Sequence, residues 1–363
     1  MNEVGKRIEW IDNCKAVAIL LVSFAHILGG FPRDTLVNVL LLLCYSIELP
    51  IFFLLSGIQK RLFSKNISFG EFVSKRVVRI LWPYFTMSTI YIGIDLLHCY
   101  LRFIVKGNLS FASTVNQLCD TITLWGSGAL WFLPTLFVAE LVSFWLCKML
   151  STSDMNVHYG GAFISAALAL TGICCVIEQE KLYELFLSRQ AMLSDYVVCF
   201  MGRSLVAVSF IMLGYVIEPM IMKGINVKQR YKYILGGLGL LIGGGLAILN
   251  DRPVDLHFGF VRNPFITYVS AIILFMSIVW LVSNFRNKVF SYVGRNTLLI
   301  LGLQIGTAYI IMLIKLLGVV SGCSLYILLL GAWSVFMVIS ILLCKIINKK
   351  WSWIYKIKFS NVK

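Results

Sequence analysis

Charge is what this chain lacks. Only 13% of its 363 residues are Asp, Glu, Lys or Arg, about half the roughly 25% of an ordinary soluble domain. That shortage excludes a water-soluble globule, and 59% hydrophobic content excludes a disordered chain. Acidic residues are scarcest, 17 against 32 basic ones, for a formal charge of +15. In a chain this apolar the basic excess marks cytoplasmic loops, where Lys and Arg are retained, and not a nucleic-acid partner. The ten Cys residues have no metal-ligand or disulfide spacing, and Cys174 and Cys175 are adjacent. A zinc clip and a disulfide framework are thereby excluded, so the cysteines read as small apolar fillers and no metal is expected. There is no internal repeat and no Pro/Ser-rich linker. Residues 1–350 therefore read as one transmembrane unit and 351–363 as a short basic cytoplasmic tail.

What is present is a series of long apolar runs. A membrane-crossing helix needs about 20 such residues, and ten runs qualify: 14–32, 36–58, 78–98, 130–149, 160–178, 203–221, 233–250, 265–283, 297–318 and 324–345. The sequence predicts an all-α polytopic membrane protein with about ten spans. The first run is not read as a signal peptide, because it lacks a small-residue cleavage site and carries Lys15 and His26. With the N-terminus inside, twenty-two of the 32 basic residues fall on the cytoplasmic side and eight on the other. That bias puts both termini in the cytoplasm of a cell-membrane protein. The stretches 99–128 and 179–202 fall outside, each expected to carry a short interfacial helix or loop. The glycines between Gly236 and Gly245 lie in a span and serve close helix packing.

Polar residues inside spans are costly, so each is a functional candidate. Lys15 and His26 are eleven residues apart in the first span. Eleven steps of 100° close three turns with about 20° left over, which puts both on one face about 16 Å apart along the axis. Ser23 borders that stripe, and Asp12 is placed to cap the helix. Lys15 also suits plain snorkelling to the interface. In the second span Glu48 and Pro50 lie near the outer end and Ser56-Gly57 near the cytoplasmic end. Arg76 and Arg79 share a helical face at the cytoplasmic surface, where two guanidiniums suit a phosphate-rich ligand or anionic lipid head groups. Trp131 opens the fourth span as an interfacial residue, and Arg203 opens the sixth. Glu140 and Glu218 could pair with neighbouring basic groups. Asp251, Asp255, His257, Arg262 and Asn263 crowd the loop before the eighth span, enough to line an acceptor site or simply to be solvated.

Several blocks, taken in order, resemble the membrane-bound acyltransferase-3 family, in its fucose 4-O-acetyltransferase-like branch of polysaccharide O-acetyltransferases. They are Arg7-Ile8-Glu9-Trp10-Ile11-Asp12 with Lys15 and His26, then Leu49-Pro50-Ile51-Phe52-Phe53-Leu54-Leu55-Ser56-Gly57. Arg76-Val77-Val78-Arg79 with Pro83 and Trp131-Phe132-Leu133 follow. Arg203, Leu213-Gly214-Tyr215 and Gly294-Arg295-Asn296-Thr297-Leu298 complete the series. The resemblance implies ten spans, an acyl-CoA donor (acetyl-CoA as co-substrate) and transfer to a hydroxyl of a surface polysaccharide or lipid-linked glycan. By the same resemblance, His26 looks like the catalytic histidine and Lys15 its basic partner. Arg76 and Arg79 look like the pair for the acyl-CoA phosphates, and Ser56-Gly57 like a small turn beside the donor. Glu48, Trp131 and Arg203 are the candidates for holding the acceptor. Relatives often end the ninth-span motif in histidine where this chain has Gln304. Membrane lipid is the other expected partner, and a homo-oligomer is compatible. The rival reading is a transporter or flippase for a polyprenyl-linked saccharide, with Lys15, Glu48 and Glu140 as pathway charges. Such folds show internal symmetry, and none is found.

Overall fold

In hydrocarbon no water is available to satisfy a peptide group, so apolar runs of this length fold as helices. The structure, a computed structural model, describes residues 8–31, 34–59, 67–107, 109–152, 157–174, 193–250, 254–258, 263–316 and 323–354, and those residues contain helices and no sheet. Among the described residues eight segments are long and apolar enough to cross a membrane. They are built from α1 (Glu9–Leu28), α2 (Thr35–Tyr45) with α3 (Glu48–Ile58), α4 (Phe69–Arg76) with α5 (Trp82–Lys106), and α7 (Phe132–Thr152), which follows α6 (Ala112–Ile122). α9 (Leu193–Ile225), α10 (Gln229–Leu249), α11 (Pro264–Val282) and α15 (Cys323–Lys350) supply the rest. The expected fifth and ninth spans are shorter. The fifth is α8 (Val157–Cys174), and the ninth is split into α13 (Thr297–Gly302) and α14 (Ile305–Leu316), after the amphipathic α12 (Lys288–Arg295). The basic cluster Lys60, Arg61 and Lys65, the loop residues 179–192, Asp251 and Arg262, and the tail beyond Ile354 lie outside the described residues.

α1 is the hub. It packs on α2, α3, α11, α12, α13, α14 and α15, with Ala16, Ala18, Ile19 and Ala25 sealed from solvent. Asp12 does not cap it. The cap position is Ile8, with no side-chain bond, and Asp12 instead pairs with Arg295 of α12 (Nε to Oδ2 3.2 Å). Beside it, Asn13 Nδ2 donates to the carbonyls of Val282 and Phe285 at 3.1 and 2.7 Å, satisfying the orphaned C-terminus of α11. These bonds explain why the Asp12 and Gly294-Arg295 blocks occur together. They dock α12 on the N-terminal end of α1.

Two expected spans are interrupted. The run 36–58 breaks at Ser46–Ile47, between α2 and α3. Pro50 is the reason, since its ring cannot sit against a helical carbonyl at Ser46 and it lacks an N–H, so it is tolerated only in the first turn of a new helix. The run 297–318 breaks at Leu303–Gln304, where the Gln304 side chain donates to Ser23 Oγ of α1 (2.9 Å). Broken backbone at membrane depth persists where it is buried in protein or lines a cavity, and the Leu49 and Leu301 walls described below flank both breaks.

The motif glycines have a packing role. A Cβ on Gly57 would collide with the Ile211 carbonyl of α9, and one on Gly214 with the Leu54 carbonyl of α3. The two helices therefore cross backbone to backbone. Ser56-Gly57 accordingly lies in the last turn of α3, with Gly57 facing α9 and Ser56 lining a cavity described below. We expect Gly57→Ala to force that crossing apart and cost about 1–3 kcal/mol, read as a lowered thermal unfolding temperature in detergent. Unchanged melting would contradict the contact. Gly236, Gly239 and Gly243 in turn face Leu281, Ser277 and Leu274 of α11, as their packing role requires. The described cysteines are unbridged, and all but Cys119 are buried.

Candidate active site

The stripe expected on α1 is present and faces inward. Lys15 and Ile19 line one cavity, and Val22 and His26 line a second, so positions i, i+4, i+7 and i+11 open successively along one helical face. Each cavity holds about 250 Å³. The two have Leu49, Phe132 and Leu301 in common as wall residues, so the compartments of Lys15 and His26 adjoin.

The first cavity collects Lys15, Ser56, Arg76, Arg79 and Glu140 over an apolar wall of Leu49, Phe52, Phe132, Leu133 and Leu136. Its two arginines are not equivalent. A π-helical turn, Val77–Leu81, joins α4 to α5. It lies just ahead of Pro83, which cannot donate to the carbonyl of Arg79. Arg79 is exposed, whereas Arg76 is 6% exposed. Arg76 Nε lies 2.9 Å from Glu140 Oε2, and its guanidinium sits 4.8 Å from the centre of the Phe72 ring. Ser56 Oγ donates to the other Glu140 oxygen at 3.0 Å. The expectation of two equal guanidinium forks is therefore revised, because Arg76 is a buried, already neutralised member of an Arg76–Glu140–Ser56 network. Arg79 and Lys15 carry the cavity's net positive charge.

The second cavity is built by His26, Tyr45, Glu48, Trp131, Asp255 and His257, with Val22, Leu49 and Phe132 among its apolar neighbours. His26 Nδ1 lies 2.9 Å from the Val22 carbonyl. A carbonyl only accepts, so Nδ1 carries the hydrogen, and the lone pair of the neutral ring is left on Nε2. Glu48 is 3% exposed, and its Oε2 has no hydrogen-bond partner among the described residues.

Asp255 and His257 reach this cavity from the loop before α11. The sequence signal was the density of polar residues there, but nothing local connects them with α1. Asp255 Oδ1 accepts from the backbone N–H of His257 (3.0 Å) and of Phe258 (3.4 Å), which fixes the loop. The His257 ring stacks on Trp131, with centroids 5.0 Å apart and planes 11° from parallel. Burial first, and the nearby Arg203 second, hold the His257 pKa well below the ordinary imidazole range, so this ring is neutral at neutral pH.

Trp131 and Arg203 are placed differently from expectation. Trp131 ends a 3₁₀ turn (Gly128–Trp131) before α7 and is buried in the cavity wall, not anchored at an interface. Arg203 does not open a span, because α9 starts at Leu193 and Arg203 lies well inside it. It is 1% exposed and lines neither cavity. Its Nη1 and Nη2 donate to the carbonyls of His257 (3.2 Å) and Trp125 (3.0 Å), and its guanidinium is held between the rings of Trp125 and Trp131 at 4.5 and 5.2 Å. It braces the wall from behind. Gln304 likewise lines neither cavity and is used in the bond to Ser23. Among the described residues no three His, Cys, Asp or Glu side chains gather as metal ligands.

Against known proteins, the model of one family, described as an acyltransferase domain, matches residues 8–349. No curated protein and no solved structure matches the chain.

Proposed function

Since the chain belongs to the acyltransferase-3 family and is a membrane acyltransferase, we propose that it moves an acyl group, acetyl foremost, from acyl-CoA to a hydroxyl of a surface polysaccharide or lipid-linked glycan. The observation that carries this reading is the pair of adjoining cavities, the first basic around Lys15 and Arg79 and the second lined by His26, with three wall residues in common. Phosphate oxygens suit the basic groups at the first cavity, and a slim apolar arm suits its Leu49, Phe52 and Leu136 wall. Acyl-CoA supplies the activated thioester.

Every other part falls to residues of the chain. His26 accepts the proton of the acceptor hydroxyl as its oxygen bonds to the thioester carbonyl carbon. As the carbon–sulfur bond breaks, His26 returns that proton to the departing thiolate. Glu140 and Ser56 hold Arg76 in the wall, and Arg79 and Lys15 face the donor's phosphates. In this reading the enzyme works in the cell membrane with both termini cytoplasmic, the donor entering from the cytosol and the glycan from the opposite side. Fucose 4-O-acetyltransferase-like enzymes are the nearest functional description, and a homo-oligomer in the lipid is compatible with it.

The test is acetyl-CoA with a glycan acceptor on purified protein in nanodiscs, followed by acceptor-dependent release of free CoA and by the acetyl mass increment on the glycan. Movement of a lipid-linked saccharide across vesicles without CoA release would return the transporter reading. On the donor side, Arg79→Ala is expected to raise the apparent KM for acetyl-CoA by about ten- to a hundredfold, the worth of one charge-assisted phosphate contact of roughly 1.5–3 kcal/mol. An unchanged KM would reassign Arg79 to topology or lipid contact.

A further inference from the structure

In the block Gly294-Arg295-Asn296-Thr297-Leu298 the first two residues dock on α1. Arg295 pairs with Asp12, and a Cβ on Gly294 would collide with the Asp12 carbonyl. Thr297 and Leu298 then line the first cavity together with Lys15 and Arg79. Building on the acyl-CoA reading above, we infer that Thr297 is a further donor-binding residue. Its hydroxyl donates to a phosphate oxygen at the nucleotide end of acyl-CoA, in the cavity that holds Lys15 and Arg79.

The fold holds Thr297 at the height of Lys15. α1 and the segment α12–α13 are tied at two points, Asp12 to Arg295 (3.2 Å) and Ser23 to Gln304 (2.9 Å). Lys15 follows the first tie by three residues and Thr297 by two, so both enter at the Asp12 end of the cavity. Leu301, in the wall shared with the compartment of His26, comes about one helical turn later. The residue before Thr297 is fixed from the far side. Asn348 Nδ2 of α15 donates to Asn296 Oδ1 (2.7 Å), and Asn296 Nδ2 donates to the Tyr292 carbonyl (2.8 Å).

The hydroxyl itself is uncommitted. Thr135 and Thr307 donate to carbonyls four and three residues back. Asn296, at φ −112° and ψ 19°, interrupts the helix just ahead of Thr297. Thr297 Oγ1 makes no hydrogen bond to any described residue. The carboxylate of this cavity, Glu140, is taken by Arg76 and Ser56. Lys15 and Arg79 only donate, so a ligand that Thr297 shares with them is an acceptor. Phosphate offers several acceptor oxygens at once, and a hydroxyl adds a contact to it without burying another charge.

The experiment measures acceptor-dependent thiol release by the full chain in nanodiscs from two donors. They are acetyl-CoA and acetyl-pantetheine, which has the arm but no phosphate. Thr297→Val keeps the branched shape and removes the hydroxyl. Its KM for acetyl-CoA should rise about tenfold, the lower end of what a hydrogen bond to a charged group contributes. Thr297→Ser, which keeps the hydroxyl, should recover most of that loss. In Thr297→Val the fall in kcat/KM should be at least about threefold larger with acetyl-CoA than with acetyl-pantetheine, a split that a loosened fold does not produce. A wild-type KM for acetyl-CoA in Thr297→Val overturns the inference. So does an equal loss with both donors, which would give the hydroxyl to the arm or to the fold. Should wild type turn over acetyl-CoA alone, the serine variant decides, and one as poor as valine overturns the inference. All of these outcomes leave the acyltransfer reading standing. Thiol release by wild type from neither donor removes that reading and this one with it.

Discussion

His26→Ala should abolish acetyl transfer, lowering kcat by about 10²–10⁴, the range a positioned general base contributes. The expectation rests on where the ring sits more than on the residue type. The Val22 carbonyl takes the Nδ1 hydrogen, which leaves Nε2 as the basic nitrogen, and the ring lines the cavity next to the basic compartment. Ser23 is the matched control. It lies three residues away on α1, but its hydroxyl donates to the Ile19 carbonyl and accepts from Gln304, and it lines neither cavity. Ser23→Ala should therefore keep kcat within a few fold while losing some stability to the unmatched Gln304 amide. Acetyl transfer by His26→Ala at wild-type rate would remove His26 from the chemistry. Equal losses in both variants would point to damage at the α1–α14 contact instead.

Glu140→Ala should be the most destabilising single substitution at the site, by about 3–5 kcal/mol, because it strands a buried guanidinium without its partner. Arg76 and Glu140 are 7% and 4% exposed in their side chains and lie 2.9 Å apart, with Phe72 against the guanidinium and Phe72 itself stacked on Phe144 at 4.2 Å. Replacing the pair together, Arg76→Met with Glu140→Leu, should recover most of the loss, since an apolar pair of similar volume strands no charge. Thermal unfolding of the three variants in detergent checks both statements. Wild-type melting of Glu140→Ala would mean that the pair is solvated and weak. The result also bears on the donor site, because a destabilised Glu140→Ala separates the structural role of Arg76 from the binding role given to Arg79.

The ten apolar runs, the all-helical class and the stripe of Lys15 and His26 on one face of α1 were legible without a structure. Hydropathy and helical period are sums along the chain, and burial in lipid or protein leaves their sign unchanged. Even the break at Ser46–Ile47 had a local trace in Pro50. The polar loop around Asp255 and His257 could be noticed but not placed, because its partner His26 is on the first helix, more than two hundred residues away. Arg76 and Arg79 looked alike for a similar reason. Their three-residue spacing says that they are neighbours, whereas the pairing of one with Glu140 depends on how α4 docks on α7.

Local free energies thus account for which segments are helices in the membrane, and for the cost of keeping each polar group there. Which of those groups meet depends on the docking of helices whose surfaces are nearly uniform in composition. Small local features set that docking, such as the Gly57–Gly214 crossing and the Asp12–Arg295 pair. Two adjoining cavities that share Leu49, Phe132 and Leu301 exist only once those helices are assembled, because their linings come from α1, α3, α7, α13 and a distant loop together.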